Sequence, residues 1–462
     1  MTESSQITNL VAGQRRDDSL GEAGCTQRCA RHVYGFSEAK GEEQIPGSLA
    51  VLEDQKDVAT RLYTPIKPWQ TQLLDLQPGA FGSPLKGVLR VAHVMEGDGL
   101  VLKDEDFRVS YTALSYCWGE PLYCRPLEVN GELYPITESL FHTLQRVRPA
   151  SKPLFVWTDM VCIHQHNNVE RSLQLRNMLR IYEKAEHVVG WLGEHSGHSR
   201  LVIELLRSKQ FSQQWLQSDV EQESDHARPQ FCAGHMTSLS DGLREVVDLP
   251  WFRRVWVKQE VWAARKLTVQ FGESNLPWQD FQRLSRLADI TDNSRTLSLK
   301  QDITARLGGL WVASSTERLG VQMDDRPALN DDRPALNDDT VDSDDYTVDY
   351  HPWRDKPADT LNLIGRAAGC ECSDPRDRVY GLLGMTPIKV VEAMTCDSAR
   401  LSLAVDYTKH PVTIFQDLMR YLIRREGTLN PLALGATFGS EVQGRKLPSW
   451  VIDWSRPVSK TP

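Results

Sequence analysis

The sequence predicts an α/β fold, a parallel sheet flanked by helices, followed by a mainly helical C-terminal region. Three observations carry this. Leu154–Gly193 reads strand, polar loop, helix, strand, the length of one parallel β–α–β crossover. Two further β-type runs flank it: Tyr111–Gly119 runs into a small polar and aromatic loop, and Leu267–Phe271 stops at Gly272. Beyond about Thr360 the pattern turns helical, with Ile414, Leu418, Tyr421 and Leu422 on one face of Thr413–Arg424.

Within the crossover, Phe155-Val156-Trp157 is apolar and ends on Asp159. The turn His164-Gln165-His166-Asn167-Asn168 leads into a helix from about Val169 to Ala185. Its residues Leu175, Met178, Leu179 and Tyr182 share a 3.6-period face. Asn167 with Glu170 has the spacing of a capping box. Val188–Leu192 is the returning strand, stopped by Gly193. Ligands of open parallel sheets sit beyond the carboxyl ends of the strands, so Asp159 and the loop after it lie at the ligand edge.

The 462 residues allow two or three domains. Residues 1–60 are polar and expected to be disordered. In them Cys25-x3-Cys29-x2-His32 lacks a second ligand pair at finger spacing and reads as a chance cluster, not a metal site. The first domain is placed at 61–300, with its core at 111–272. It opens on a Pro-punctuated extended lead-in, then a strand at Leu85–Val94 and a turn at Gly97–Gly99. A strand or hairpin follows around Asn130-Gly131, then a helix capped by Thr137 or Ser139 through Leu140, Leu144 and Val147. Ser212–Gly234 reads as an insertion. Pro250 suits the first turn of a helix, and Pro277–Ile290 reads as another. An acidic linker is placed at 301–355, where Asp324–Asn330 repeats unchanged as Asp331–Asn337. A Pro-containing repeat excludes a coiled coil. The last region, 356–462, contains a helix over Asp374–Gly384 with a Pro start and a Gly stop. It closes on Leu447–Trp454, an aromatic segment with almost nothing behind it to pack on, which suggests a domain cut short.

A net charge of −9 gives no reason to expect nucleic acid or an anionic membrane as partner. No apolar run approaches the roughly 20 residues of a membrane span, and the N-terminus lacks a signal-peptide core. The nine scattered cysteines read as reduced thiols of an intracellular, cytoplasmic protein. There is no P-loop, dinucleotide Gly fingerprint or HExxH motif, so no permanently bound cofactor or metal is expected.

Four blocks in order resemble the fungal heterokaryon-incompatibility (HET) domain. They are Tyr111–Gly119 (YTALSYCWG), Trp157–Gln165 with Glu170-Arg171, Ile181–Gly193 (IYEKAEHVVGWLG) and Pro250–Glu260 (PWFRRVWVKQE). DPRDRVYGLLG and LPSWVIDWS resemble segments found downstream of that domain. The resemblance covers roughly 61–270, and 360–454 more loosely; His164 departs from it, standing where the family pattern has Asn. It implies an effector of fungal nonself recognition that promotes regulated cell death, with self-association and an incompatibility partner protein. HET domains are thought to be distant relatives of TIR domains, which implies a TIR/flavodoxin-like sheet. Ala113–Tyr116 resembles the first TIR strand, Leu154–Gly193 the second strand through the third, and Trp256-x3-Glu260 the helix that carries the catalytic Glu of NAD-cleaving TIR enzymes.

The resemblance makes Glu260 the candidate catalytic carboxylate and NAD the candidate substrate. The local sequence suits this: on a helix the i±3 and i±4 neighbours of Glu260 are Trp256, Val257, Ala263 and Ala264, none basic, with Phe252 and Trp256 on the same face. A carboxylate there has a raised pKa unless it is paired, and Arg171 and Arg253 are the candidate partners. Asp159 either holds a ribose hydroxyl or caps the turn after it. Tyr116 and Trp118 either stack on a ring of the ligand or join the core, and Gly119 permits a tight turn. Glu170 is explained by the capping box. Cys162, between Val161 and Ile163, reads as a core thiol rather than the nucleophile of a pair with His164. The rival readings are a non-catalytic signalling module that self-associates, and a decayed paralogue.

Overall fold

In a computed structural model of the chain, the structure describes residues 57–94, 99–104, 107–208, 236–281, 370–386, 405–427 and 441–454, with isolated positions between 283 and 432. The Cys25-x3-Cys29-x2-His32 cluster, the turn at Gly97–Gly99 apart from Gly99 itself, the 212–234 insertion and the repeated linker lie outside the described residues. Residues 57–62 are helical and bury Val58, Ala59 and Leu62.

One mixed sheet organises the fold. Its strands are β1 (Gln70–Leu76), β2 (Lys86–His93), β3 (Leu100–Leu102), β4 (Arg108–Val109), β5 (Thr112–Tyr116), β6 (Arg125–Val129), β7 (Glu132–Ile136), β8 (Leu154–Trp157), β9 (His187–Gly193), β10 (Leu267–Phe271) and β11 (Ser274–Pro277). They run β11-β10-β9-β5-β8-β1-β2-β3-β4, with β6 and β7 joined through β2. β10, β9, β5 and β8 are mutually parallel. Counted in chain order these four lie 2-1-3-4, the arrangement of flavodoxin-like doubly wound sheets. β5 is central, and all of its residues are buried.

In the antiparallel half of the sheet, β2 lies within the strand expected at Leu85–Val94 and β6–β7 is the hairpin expected around Asn130-Gly131, but β1 was not foreseen. The supposed lead-in contains β1, which pairs with β8 (Leu74↔Val156) and along its whole length with β2. It gives no period-2 signal because both of its faces are covered: Gln70, Thr71 and Gln72 are as buried as Leu73 and Leu74. These polar side chains and their backbone are used. Thr71 Oγ1 accepts the Trp157 indole N–H at 3.1 Å, and the Gln70 carbonyl accepts Gln174 Nε2 at 2.7 Å.

The helices are α1 (Glu138–Val147), α2 (Asp159–Cys162), α3 (Asn168–Lys184), α4 (Gly197–Arg207), α5 (Met236–Val247), α6 (Val255–Ala263), α7 (Trp278–Phe281), α8 (Asp377–Leu383) and α9 (Pro411–Glu426). Thr137 caps α1. The capping box expected at α3 is only half made. Asn167 Oδ1 accepts from the Val169 and Glu170 amides, but the Glu170 carboxylate accepts instead from the His164 amide at 2.9 Å. The helix expected from Pro250 is two pieces, a 3-10 turn Pro250–Arg253 and then α6, separated by Arg254 in extended conformation. Of the Pro277–Ile290 helix, α7 is described, and Leu284 and Leu287 beyond it are buried. The aromatic end segment is not left without packing: Leu447, Val451, Ile452 and Trp454 are buried in the same hydrophobic cluster as the sheet.

Turn chemistry sets two glycines. Asn130 (φ 52°) and Gly131 (φ 84°) form the two-residue turn of the β6–β7 hairpin, as Asn-Gly predicts. Gly99 has φ 71°, and a Cβ there would lie 2.5 Å from the Val109 carbonyl oxygen. Gly99→Ala is therefore expected to cost about 2 kcal/mol in a denaturant melt, and Gly131→Ala, which meets no neighbour, about 1 kcal/mol.

Candidate functional site

Three stretches far apart in sequence meet at the carboxyl ends of β5 and β8. β5 delivers Ser115 and Tyr116, and the chain turns out through Cys117, Trp118 and Gly119. β8 ends at Trp157, and Asp159 opens α2. α6 delivers Glu260 from its last turn.

At the floor, Ser115 Oγ donates to Glu260 Oε2. The Trp251 indole N–H in turn donates to Ser115 Oγ (2.9 Å) and to its carbonyl (3.1 Å), so one buried chain of donors runs Trp251 to Ser115 to Glu260. Gly190 on β9 makes room for this, since a Cβ there would lie 3.0 Å from Trp251 Cζ2. Glu260 itself is 3 % exposed. At the mouth stand the partly exposed Trp118, Asp159 and Arg254. The Trp118 indole N–H donates to both Asp159 oxygens (3.1 and 3.0 Å), and the Met160 amide donates to Asp159 Oδ1 (2.9 Å). The Arg254 guanidinium donates to the Tyr116 carbonyl.

Burial pushes Glu260 up to about 7, against the opposing pull of Arg254 and the Ser115 hydroxyl, with the Asp159 charge adding to the rise. Asp159 is also raised by burial, which Arg254, Trp118, Tyr116 and the Met160 amide partly offset. Burial alone would lower Arg254, but Cys117, Glu260, Asp159 and Tyr116 around it raise it, so it stays charged. The Cys117 thiol beside it is pushed by burial up to about 11 and is no nucleophile at neutral pH. The arrangement is one cation facing two carboxylates of high proton affinity, under an indole, at the ligand edge of a parallel sheet.

Of the residues expected from sequence, Glu260, Asp159 and Trp118 come together here. Tyr116 is 1 % exposed, and its hydroxyl accepts from Thr158 at 3.1 Å. Its ring belongs to the core and offers no face for stacking. Gly119 is exposed in a left-handed turn (φ 74°) at the edge of the group. The expected partners of Glu260 are elsewhere: Arg171 lies over the Tyr407 ring at 4.7 Å, and Arg253 pairs with Glu371 at 3.4 Å. The cation is Arg254, six positions back and outside the i±4 window, brought round by its extended backbone. Phe252 does not share the Glu260 face, because it sits in the preceding 3-10 turn and stacks on Phe281. Sequence reasoning also missed Ser115 and Trp251. The only signal for Ser115 was a hydroxyl in the middle of an otherwise apolar run.

Cys162 and His164 go to different partners. The Cys162 thiol is buried between Val156 and Thr158 and pushed up to about 12, while His164 stacks on Tyr63 at 4.8 Å. Among the described residues no group of three His, Cys, Asp or Glu is disposed to hold a metal, and no helix is long and apolar enough to cross a membrane.

Residues 111–260 match the family described as Heterokaryon incompatibility protein (HET). Residues 111–260 carry a HET domain. It is also 24 % identical over 398 residues to Heterokaryon incompatibility protein 6, OR allele, of Neurospora crassa, across 76 % of this chain and 54 % of that protein. The chain thus spans about half the length of the curated relative it matches. No solved structure matches it. The matched span of the HET domain begins at the strand that carries Ser115 and ends on Glu260, so its two ends are the two sides of the floor hydrogen bond.

Proposed function

We propose that this HET domain protein acts in heterokaryon incompatibility, in the cytoplasm, and that its cleft cleaves NAD as TIR enzymes do, promoting regulated cell death. The observation that carries this reading is Glu260, a buried carboxylate raised to about 7, held by Ser115 at the carboxyl edge of a sheet in flavodoxin-like order. In glycohydrolysis the C1′–N bond of the nicotinamide ribose breaks and its electron pair leaves with the nicotinamide, which needs no general acid because its ring nitrogen is already positive. The positive charge passes to C1′ as an oxocarbenium ion. Ionised Glu260 offsets that charge, and water then adds to C1′ and loses a proton. Asp159 accepts a ribose hydroxyl, the Trp118 indole offers a ring face, and Arg254 attracts the pyrophosphate. NAD is substrate here, and no cofactor is held permanently.

The test is NAD consumption and nicotinamide release by the full chain, concentrated to favour self-association. Because the ionised carboxylate is the working form, log kcat should rise between pH 6 and 8 with its midpoint near 7. A flat profile over that range would exclude Glu260 as the ionising group. Asp159→Asn should raise KM by about tenfold with a smaller change in kcat, the signature of a binding contact.

One observation favours the non-catalytic reading: Asp159 already accepts from the Trp118 indole and the Met160 amide, as a purely structural carboxylate would. Absence of turnover at high protein concentration would favour that module, which acts by self-association or by an incompatibility partner.

A further inference from the structure

The helix that carries Glu260 is buried on nearly every side. Val255, Trp256, Val257, Lys258, Gln259, Glu260, Val261 and Ala263 are all buried, although the family match stops at residue 260. A short helix covered all round needs a neighbour on each face. Part of that cover comes from more than a hundred positions downstream. Arg254 and Glu371 form a parallel β-bridge, with the Val255 amide donating to the Glu371 carbonyl (3.1 Å) and the Glu371 amide to the Arg253 carbonyl (2.5 Å). Cys370 hydrogen-bonds the Lys258 side chain. α8 then packs on α6 through glycine. A Cβ on Gly381 would lie 3.3 Å from Val255 Cγ1, and one on Gly384 would lie 3.0 Å from Gln259 Oε1 and 3.1 Å from Leu179 Cβ. Asp377, the first residue of α8, accepts from the Tyr407 hydroxyl and the Trp256 indole. Trp256 is one helical turn before Glu260, so this bond holds the same helix near its N-terminal end.

We infer that residues 370–384 are a brace that positions α6, and that Asp377 and Gly381 are positioning residues for Glu260 and Arg254, which makes the cleft a composite of the HET domain and this downstream segment. The brace seats Arg254 through the β-bridge and sets the roll of α6 through the Asp377–Trp256 bond and the close α6–α8 approach. The electrostatic interactions of Arg254 with Glu260 and Asp159 therefore depend on one docked segment. The inference rests on the proposed function only in treating Glu260 as the working carboxylate.

The experiment compares wild type, Asp377→Ala, Asp377→Asn and Gly381→Leu in the full chain. Amide hydrogen exchange and NAD kinetics are measured on the same samples. A brace predicts that Asp377→Ala and Gly381→Leu speed exchange at 255–263 by about tenfold or more while β1 and β2 keep wild-type protection. It also predicts a fall in kcat/KM, since both Glu260 and Arg254 lose their seating. Asp377→Asn keeps an oxygen acceptor for the indole and should restore both. Unchanged exchange in α6, or exchange that rises equally in α6, β1 and β2, would overturn the inference, the latter because it reports general unfolding. If wild type turns over no NAD, the functional reading fails, and exchange at 255–263 still decides the brace.

Discussion

Glu260→Ala and Glu260→Gln are each expected to lower NAD turnover by roughly a thousandfold or more, because each removes the carboxylate at the cleft floor while leaving the fold in place. Glu260→Gln should do so while making the protein more stable at alkaline pH. The sign follows from the proton affinity. Glu260 titrates near 7 in the folded protein and near 4.5 as an unperturbed carboxyl, so the folded state binds more protons between those values. Its contribution to stability is fully present below about 4.5 and is lost as pH rises through 7. Above that, keeping the carboxylate ionised in the cleft costs on the order of 3 kcal/mol. Gln still accepts the Ser115 hydroxyl but carries no charge to bury. Glu260→Gln should therefore melt well above wild type at pH 8 and close to it at pH 5. An inactive Glu260→Gln that melts below wild type at both pH values would show that the carboxylate is structural. Stability sacrificed at one buried charge is what a working site requires, and it separates the catalytic from the non-catalytic reading without any knowledge of the partner.

Trp251→Ala is expected to carry the largest stability loss, about 4 kcal/mol, because a fully buried indole is removed from between Gly190, Phe252 and Trp278. Trp251→Phe separates packing from hydrogen bonding. It keeps most of the apolar contact but leaves Ser115 without its indole donor, for roughly 1–2 kcal/mol in a denaturant melt. It should also lower kcat, because the Ser115 hydroxyl that orients Glu260 loses its own support. If Trp251→Phe melts like Trp251→Ala, the loss is one of packing; if it matches wild type in both stability and kcat, the donor chain to Glu260 has no energetic role.

Much of this was legible in the sequence, and the particular residues show why. The crossover from Leu154 to Gly193 was read correctly because its information is local: an apolar run, a polar turn, a 3.6-residue stripe and a Gly stop each lie within one element. The Asn130-Gly131 turn, the Thr137 cap and the α8 helix between Pro375 and Gly384 were legible for the same reason. The burial of Glu260 followed from its apolar neighbours on α6.

What the sequence could not supply is of two kinds. β1 hid because a strand covered on both faces loses the alternation that would announce it, and its Gln and Thr residues read as loop. Arg254, Ser115 and Trp251 hid because their roles depend on pairs separated by more than a hundred positions, for which no local period exists. The sequence by itself determined the parallel core, the resemblance of 111–260 to the HET domain and the burial of Glu260 on α6. Only the tertiary structure decided which cation faces that carboxylate, that the Tyr116 ring is floor rather than platform, and that a segment beyond residue 370 closes over α6. Local propensities act within a few residues, whereas proton affinity and helix orientation come from whatever the fold packs alongside.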